Sequence, residues 1–242
     1  MHRSLLAAAF LLLASFAAEA QTANEIVGKY IQKIGGMQKI SAIKSIRMTG
    51  KFIGGGGFEA TVLVEKRRAN SIRQEFSLQG MTQVNAYDGK NGWKIDPFGG
   101  KKDAESLGEE ELKAVVEDSD FDGPLVNYEA KGNKVEYVGK DEFEGSDVFK
   151  LKVTLANGTV KHYYLDADYY VPIKIETKQT NRGTEYETET ILGDYKEAGG
   201  VYFPYSVETG AKGSANKAVI TYSAIEIDPK LDDSRFAMPR KP

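Results

Sequence analysis

The chain predicts a mainly β fold with some α: a strongly curved antiparallel sheet of about ten or eleven strands, with an N-terminal helix and a second helix laid across the concave side. Three observations carry that expectation. Apolar and polar residues alternate with a period of two through most of the sequence. The alternating segments follow one another through turn residues, without the helix-sized spacers of a parallel βαβ fold. The alternation stops once, between Phe98 and Tyr128, for a stretch of helical periodicity.

The first twenty residues stand apart from that pattern. Arg3 precedes an apolar run from Leu5 to Ala18 that is short for a bilayer-spanning helix, and Ala18-Glu19-Ala20 has the small-x-small form of a signal-peptide cleavage site. Residues 1–20 are therefore expected to be a signal peptide cleaved near Ala20, and residues 21–242 a single exported domain. With no cysteine after the apolar run, an N-terminal lipid anchor is not expected.

Ala23 to Ile34 places Ile26, Val27, Tyr30, Ile31 and Ile34 on one helical face, and Gly35-Gly36 ends it. Met37 to Ile43 reads as a second short helix. Strands follow. Ile46, Met48 and Phe52 alternate with Arg47, Thr49 and Lys51, Val62 and Val64 alternate with Thr61, Leu63 and Glu65, and Ile72, Phe76 and Leu78 share a side. Gly54 to Gly57 reads as a hairpin turn, because the helix start and Lys-Ser or Lys-Thr pair of a phosphate loop do not follow it. Later, Phe149, Leu151, Val153 and Leu155 alternate with Lys150, Lys152 and Thr154, and Asn157-Gly158 signals a type I′ turn into Val160 to Leu165. Ile173 to Ile175, Glu185 to Glu189 and Val201 to Val207 continue the meander. Within the interruption, Ser106 to Glu117 reads as a helix with Leu107, Leu112, Val115 and Val116 as its apolar positions. That stripe must be buried, and the sheet's apolar face is the available partner, an arrangement that leaves a lined hollow.

Composition narrows the chemistry. Lys and Arg number 32 against 35 Asp and Glu, a formal charge of −3, which argues against a nucleic-acid-binding surface. There is no cysteine, which removes disulfides, thiol nucleophiles and Cys-ligated metals. Apart from His2, the single histidine is His162, which sits between Lys161 and Tyr163 and reads as an ordinary strand residue. No Gly-x-Ser-x-Gly elbow is present. Glu109-Glu110-Glu111 complements a helix dipole. The chain is expected not to be an enzyme, a carboxylate hydrolase being the form an enzyme here would take, and no cofactor is expected. One metal motif stays open. Asp118-x-Asp120-x-Asp122-Gly123 followed by Glu129 spells an EF-hand calcium loop, but Gly132 and strand alternation stand where the exit helix belongs. An acidic turn closing the helix is the other reading.

The segment Tyr87-Asp88-Gly89-Lys90-Asn91-Gly92-Trp93-Lys94-Ile95-Asp96-Pro97 resembles the Asp-Gly-Lys-x-x-Trp-x-x-x-Pro hairpin of the periplasmic outer-membrane lipoprotein-sorting carriers, the LolA/LolB-like family. Arg67-Arg68-Ala69-Asn70 is similar to that family's Lys-Arg-Pro-Asn segment, with Ala69 in the place of Pro. Tyr164-Leu165-Asp166-Ala167 through Pro172-Ile173 is similar to its later strand-turn-strand, and the order of elements agrees over nearly the whole exported chain.

The resemblance implies an incomplete barrel with a helical lid over a cavity that holds acyl chains. It implies a periplasmic, monomeric carrier whose partners are acyl chains of lipoproteins or lipids, an inner-membrane donor and an outer-membrane acceptor, with no role for nucleic acid. Arg68 would take the position of the arginine that ties barrel to lid, with Arg67 as competitor and a solvated strand-end charge as the alternative. The inward candidates are Ile46, Met48, Phe52, Val62, Val64, Phe76, Leu78, Phe149, Leu151 and Val153, either as cavity lining or as packed core. Leu112, Val115 and Val116 would form the underside of the lid. An envelope sensor of the same fold, recognising lipoprotein or another apolar ligand without transporting it, is the alternative function.

Overall fold

A capping box opens the first helix. Thr22 Oγ1 accepts from the Glu25 amide (3.2 Å), and the Glu25 carboxylate accepts from the Thr22 amide (2.8 Å). This starts α1 (Ala23–Lys33), and Gly35 and Gly36, both at positive φ, turn the chain into α2 (Met37–Ala42). The computed structural model describes residues 21–181 and 184–239, so the expected signal peptide, residues 1–20, lies outside them.

Six strands follow: β1 (Ser45–Ile53), β2 (Glu59–Arg67), β3 (Ser71–Leu78), β4 (Met81–Tyr87), β5 (Gly92–Asp96) and β6 (Lys101–Ser106). Then come α3 (Glu109–Ser119), a coil through residues 120–133, and seven more strands: β7 (Lys134–Phe143), β8 (Ser146–Thr154), β9 (Val160–Asp166), β10 (Pro172–Asn181), β11 (Thr184–Ala198), β12 (Val201–Ala211) and β13 (Ala218–Ile227). All thirteen form one antiparallel sheet in the order β6-β5-β4-β3-β2-β1-β13-β12-β11-β10-β9-β8-β7. The pairing of β1 with β13, Ile46 opposite Ile227 and Phe52 opposite Ile220, joins strands that are not neighbours in sequence. The sheet stays unclosed: β6 and β7 are its two edges, and α3 with the following coil runs between them.

Thirteen strands exceed the expected ten or eleven. Strand β6, Lys-Lys-Asp-Ala-Glu-Ser, carries no apolar alternation because it is an edge strand in solvent, and it takes up the residues just before the helix. The helix accordingly begins at Glu109 and not at Ser106, with the Glu111 carboxylate accepting from the Gly108 amide (3.1 Å). The turn at Asn157-Gly158 also differs from the type I′ expectation. Gly158 donates to the Leu155 carbonyl (2.8 Å), and only Gly158, at φ 86°, takes a left-handed conformation. This is a type I turn with a glycine bulge, a three-residue loop in place of a two-residue one.

Strand register sorts the side chains. Ile46, Met48 and Phe52 lie in line with Lys66, Val64 and Ala60 of β2, and Lys66, Val64 and Val62 lie opposite Ile72, Gln74 and Phe76 of β3. This is the inner face, which the helices cover. Ile26 and Val27 of α1, with Leu125 of the coil, pack on Phe149, Leu151, Val153, Tyr163 and Leu165. Ile34, Ile40 and Ile43 pack on Ile46, Val201 and Ile225 with Val126. On the outer face, the C-terminal segment covers Trp93, whose Nε1 donates to the Phe236 carbonyl (2.7 Å), and Phe236 is itself fully buried. Glu65, 1% exposed, is held on that face between Arg47 (2.9 Å) and Arg235 (2.8 Å).

Candidate ligand-binding site

The ten inward candidates divide between two environments. Phe149, Leu151 and Val153 are buried beneath α1 and Leu125, in the packed core of β8 and β9, and Ile46 and Val62 are buried as well. Met48, Phe52, Val64, Phe76 and Leu78 are all only partly buried, and they form a continuous apolar track across β1, β2 and β3. At the end of the track nearest the β1–β2 turn, aromatic rings extend it toward solvent. Phe52 meets Phe58 (5.6 Å between centroids) and Phe76 (5.1 Å), and Phe76 meets Phe98 (6.0 Å). Phe58, Met81 and Phe98 are 45%, 41% and 40% exposed, which leaves an open apolar mouth at the tips of three successive hairpins.

Helix α3 lies against β3, β4 and β5 on the inner face. Its contact side is narrower than the expected trio. Val115 is buried and Leu112 half-buried, with Ser119 continuing the same face, whereas Val116 is 41% exposed. Val115 and Val116, three and four residues past Leu112, are both its neighbours on the helix, and the strands beneath take the side shared by Leu112, Val115 and Ser119. Around the helix, Lys94 reaches Glu111 (2.6 Å), Gln74 donates to Asp118 (3.2 Å), and Lys161 of β9 pairs with Glu117. The helix is thus attached to strands on both flanks of the opening.

Arg67 and Arg68 point to opposite sides, as successive residues of an extended chain do. Arg67 pairs with Asp233 and stacks on Phe236 (4.9 Å) within the C-terminal segment. Arg68 turns inward and makes two parallel bonds to Asp122 (2.7 and 2.6 Å), donates to the Ile43 and Ile40 carbonyls (both 2.7 Å), and lies over the Phe121 ring (4.5 Å). One guanidinium therefore joins the end of β2, the end of α2 and the coil after α3.

The carboxylates of the calcium-like motif are turned to different partners: Asp118 to Gln74, Asp120 to Lys131 (2.5 Å), Asp122 to Arg68, while Glu129 lies beside the Tyr128 hydroxyl (3.3 Å). Among the described residues no group of three or more His, Asp or Glu side chains is placed to hold a metal ion. His162 lies on the outer face opposite Lys152 and Glu176, where burial and the Lys150 charge depress its pKa.

Two features went unread in the sequence. Lys66 occupies an inward position in phase with Val62 and Val64, and that phase is the signal that could have revealed it. Tyr30, Tyr163, Tyr195 and Tyr222 stand in the interior, and burial raises the pKa of each, those of Tyr30 and Tyr222 to about 12. A separate open cleft of about 370 Å³ lies between Val27, Gly28 and Ile31 of α1 and the coil at 125–130. Among the described residues no helix is long and apolar enough to cross a membrane.

No family model matches the sequence, and comparison with curated proteins finds no match. Solved structures do match. A LolA superfamily protein from Nitrosomonas europaea superposes with a TM-score of 0.59 at 13% identity, over 90% of this chain and 98% of the other. A DUF1329 family protein from Desulfovibrio piger gives 0.58 at 9% identity, over 90% and 98%. A domain described as an outer membrane lipoprotein-sorting protein, from Vibrio parahaemolyticus, gives 0.55 at 13% identity, over 88% and 94%. At these identities the likeness is one of fold. The protein therefore has the LolA-like fold, an antiparallel barrel left unclosed, with a helix laid over its opening.

Proposed function

We propose that the protein is a periplasmic carrier that shields the acyl chains of lipoproteins, or of a lipid, in transit toward the outer membrane. The observation that carries this reading is the apolar track of Met48, Phe52, Val64, Phe76 and Leu78. It stays partly open inside the curve of the sheet and runs out to an aromatic mouth.

The physical need for such a track is large. At about 0.8 kcal/mol per buried methylene, a chain of about sixteen carbons loses about 12 kcal/mol when exposed to water. A carrier has to offset most of that and still release its load, so apolar surface beneath a cover that can move suits the task better than a tight closed pocket. Helix α3 supplies the cover, through Leu112 and Val115, and Arg68 acts as the latch that holds its far end through Asp122 and Phe121. Phe149, Leu151 and Val153 serve in this reading as the packed wall beneath α1, and Ile46 and Val62 as the floor of the track. An inner-membrane donor and an outer-membrane acceptor are the partners this role requires.

Native mass spectrometry of protein isolated directly from the cell envelope tests the reading. A carrier co-purifies with diacyl or triacyl species. Protein that arrives free of any acyl-bearing ligand, from cells expressing it at native level, overturns it.

A further inference from the structure

Strand order places four turns side by side on one rim of the sheet. They are β1–β2 (residues 54–58), β3–β4 (79–80), β5–β6 (97–100) and β12–β13 (212–217), and they join eight strands that are consecutive in the sheet, from β6 to β12. Together these turns hold no aspartate or glutamate, although acids outnumber bases in the chain by 35 to 32. The opposite rim differs. Asp88, Glu144 and Asp168 stand in its turns, and Asp228 directly follows β13. The two acids that border the first rim are occupied: Asp96 is turned into the β5–β6 turn, where it accepts from the Gly99 amide (3.0 Å), and Glu59 lies beside Lys51 (3.3 Å).

The same rim carries the exposed side chains of Phe58, Met81 and Phe98, with the exposed Ile53 beside them. Phe58 is held in place. Its ring packs on Gly54, where an added Cβ would stand 2.3 Å from it, and the Gly54 amide donates to the Phe58 carbonyl (3.0 Å). Nothing lies within 4 Å of a Cβ built on Gly55, Gly56 or Gly57, so this tip projects clear of the sheet. Behind the tips, the side chains of Lys51 and Lys101 are 71% and 64% exposed, and Lys102 is exposed as well. Lys51 and Lys101 meet Glu59 and Glu105 across 3.3 and 3.9 Å, open pairs that water screens and that exchange readily for another anion. Apolar tips backed by lysines suit the interfacial layer of a bilayer, where apolar burial and attraction to anionic head groups add. Seven of the eleven residues in the first three turns are glycine, which leaves a protein receptor little side-chain chemistry to recognise, whereas a bilayer requires only apolar depth.

We propose that this rim docks on the surface of an anionic phospholipid bilayer. Phe58, Met81 and Phe98 enter the interfacial layer, Lys51, Lys101 and Lys102 lie against the head groups, and the acidic rim is turned away from the membrane. The ring contacts from Phe98 to Phe76 and from Phe76 to Phe52 then join the bilayer to the apolar track, so that an acyl chain passes between them without crossing water. The inference rests on the acyl-carrier reading and adds to it the surface at which the cargo is exchanged.

The test is flotation of the protein isolated from the cell envelope with vesicles of phosphatidylcholine alone and of phosphatidylcholine mixed equally with phosphatidylglycerol. The wild type is expected to bind the anionic vesicles about 10-fold or more tighter than the neutral ones. The double variant Phe58→Ser, Phe98→Ser should lose about 10-fold on anionic vesicles, and Lys101→Gln, Lys102→Gln should narrow the difference between the two vesicles. Because the chain has no cysteine, Gly55→Cys and Tyr169→Cys each offer one position for an environment-sensitive fluorophore, the first at the proposed tip and the second, 68% exposed, in a turn of the opposite rim. On anionic vesicles the emission at residue 55 should shift to the blue and that at residue 169 should not, a readout that does not depend on whether the serine variants fold. A shift at residue 169 without one at residue 55 overturns the docking surface. So does failure of the wild type to bind either vesicle, the result expected if a protein receptor covers the rim. Mass spectrometry of the same preparation separates the two readings: protein that carries acyl ligand but ignores vesicles overturns the docking surface and leaves the carrier reading standing, and protein that docks but arrives without acyl ligand overturns the carrier reading and the exchange role with it.

Discussion

Single side chains decide how this sheet is held and covered. Arg68 is the clearest case, because its two bonds to Asp122 and two to the α2 carbonyls require a planar fork. Arg68→Ala leaves Asp122 unpaired in a half-buried site and should cost about 2–4 kcal/mol in urea unfolding, and Arg68→Lys should recover little of it. Faster amide hydrogen exchange across residues 120–133 would accompany the loss. Glu176 sets an acid limit. Burial works to raise its pKa, but hydrogen bonds from Lys174 and Tyr164 and the Lys174 and Lys212 charges prevail and bring it to about 2. Its folded pKa lies below the unfolded value, so its contribution is complete above about pH 4.5 and disappears as pH falls toward 2. Glu176→Gln should therefore be less stable than wild type by about 1–2 kcal/mol at pH 7, after allowing for screening, with the two curves converging between pH 4.5 and about 2. The Asp-Gly-Lys hairpin and Arg68 stand out in the sequence by residue type. What Arg68 touches does not, since Asp122 is 54 positions away.

At the scale of elements, two coverings lie on opposite faces of one sheet. Inside, α3 presents Leu112, Val115 and Ser119, and a double Leu112→Ser, Val115→Ser variant should retain less co-purified acyl ligand while keeping the far-ultraviolet spectrum of the sheet. Unchanged ligand content would show that α3 is not the cover. Outside, the C-terminal segment straps Trp93 and Glu65, with Phe236 fully buried at its centre. Phe236→Ala should cost about 3–5 kcal/mol, and because Trp93 is the only tryptophan, its emission should shift to the red as the strap loosens. The strap had no signature in the sequence, since a single aromatic in a short polar tail carries no periodicity. Strand β6 escaped for the complementary reason: a solvent-facing edge strand has no buried side to pattern. Helix α3 was legible as a helix but not in its phase, because Val115 and Val116 are equally apolar and only the strands beneath choose between them.

Across the whole molecule, the meander leaves two edges, β6 and β7, and the chain between them becomes the cover of the opening. That single fact of topology turns a sheet with one apolar face into a container. The inner face is then divided unequally. One part is filled by α1, α2 and Leu125, and the other is left partly open from Lys66 to the Phe52 and Phe98 mouth. The sequence by itself determined the antiparallel architecture, the presence of the helices and the apolar side of the strands that alternate, because these follow from local periodicity and turn chemistry. Only the tertiary structure decided which inward residues are packed and which border space, how the motif carboxylates are dispersed among Gln74, Lys131 and Arg68, and that Lys66 reaches the same coil from the inner face. Those outcomes depend on what arrives from the far side of the barrel, and period-two alternation reports the face a side chain takes but not its neighbour across the interior.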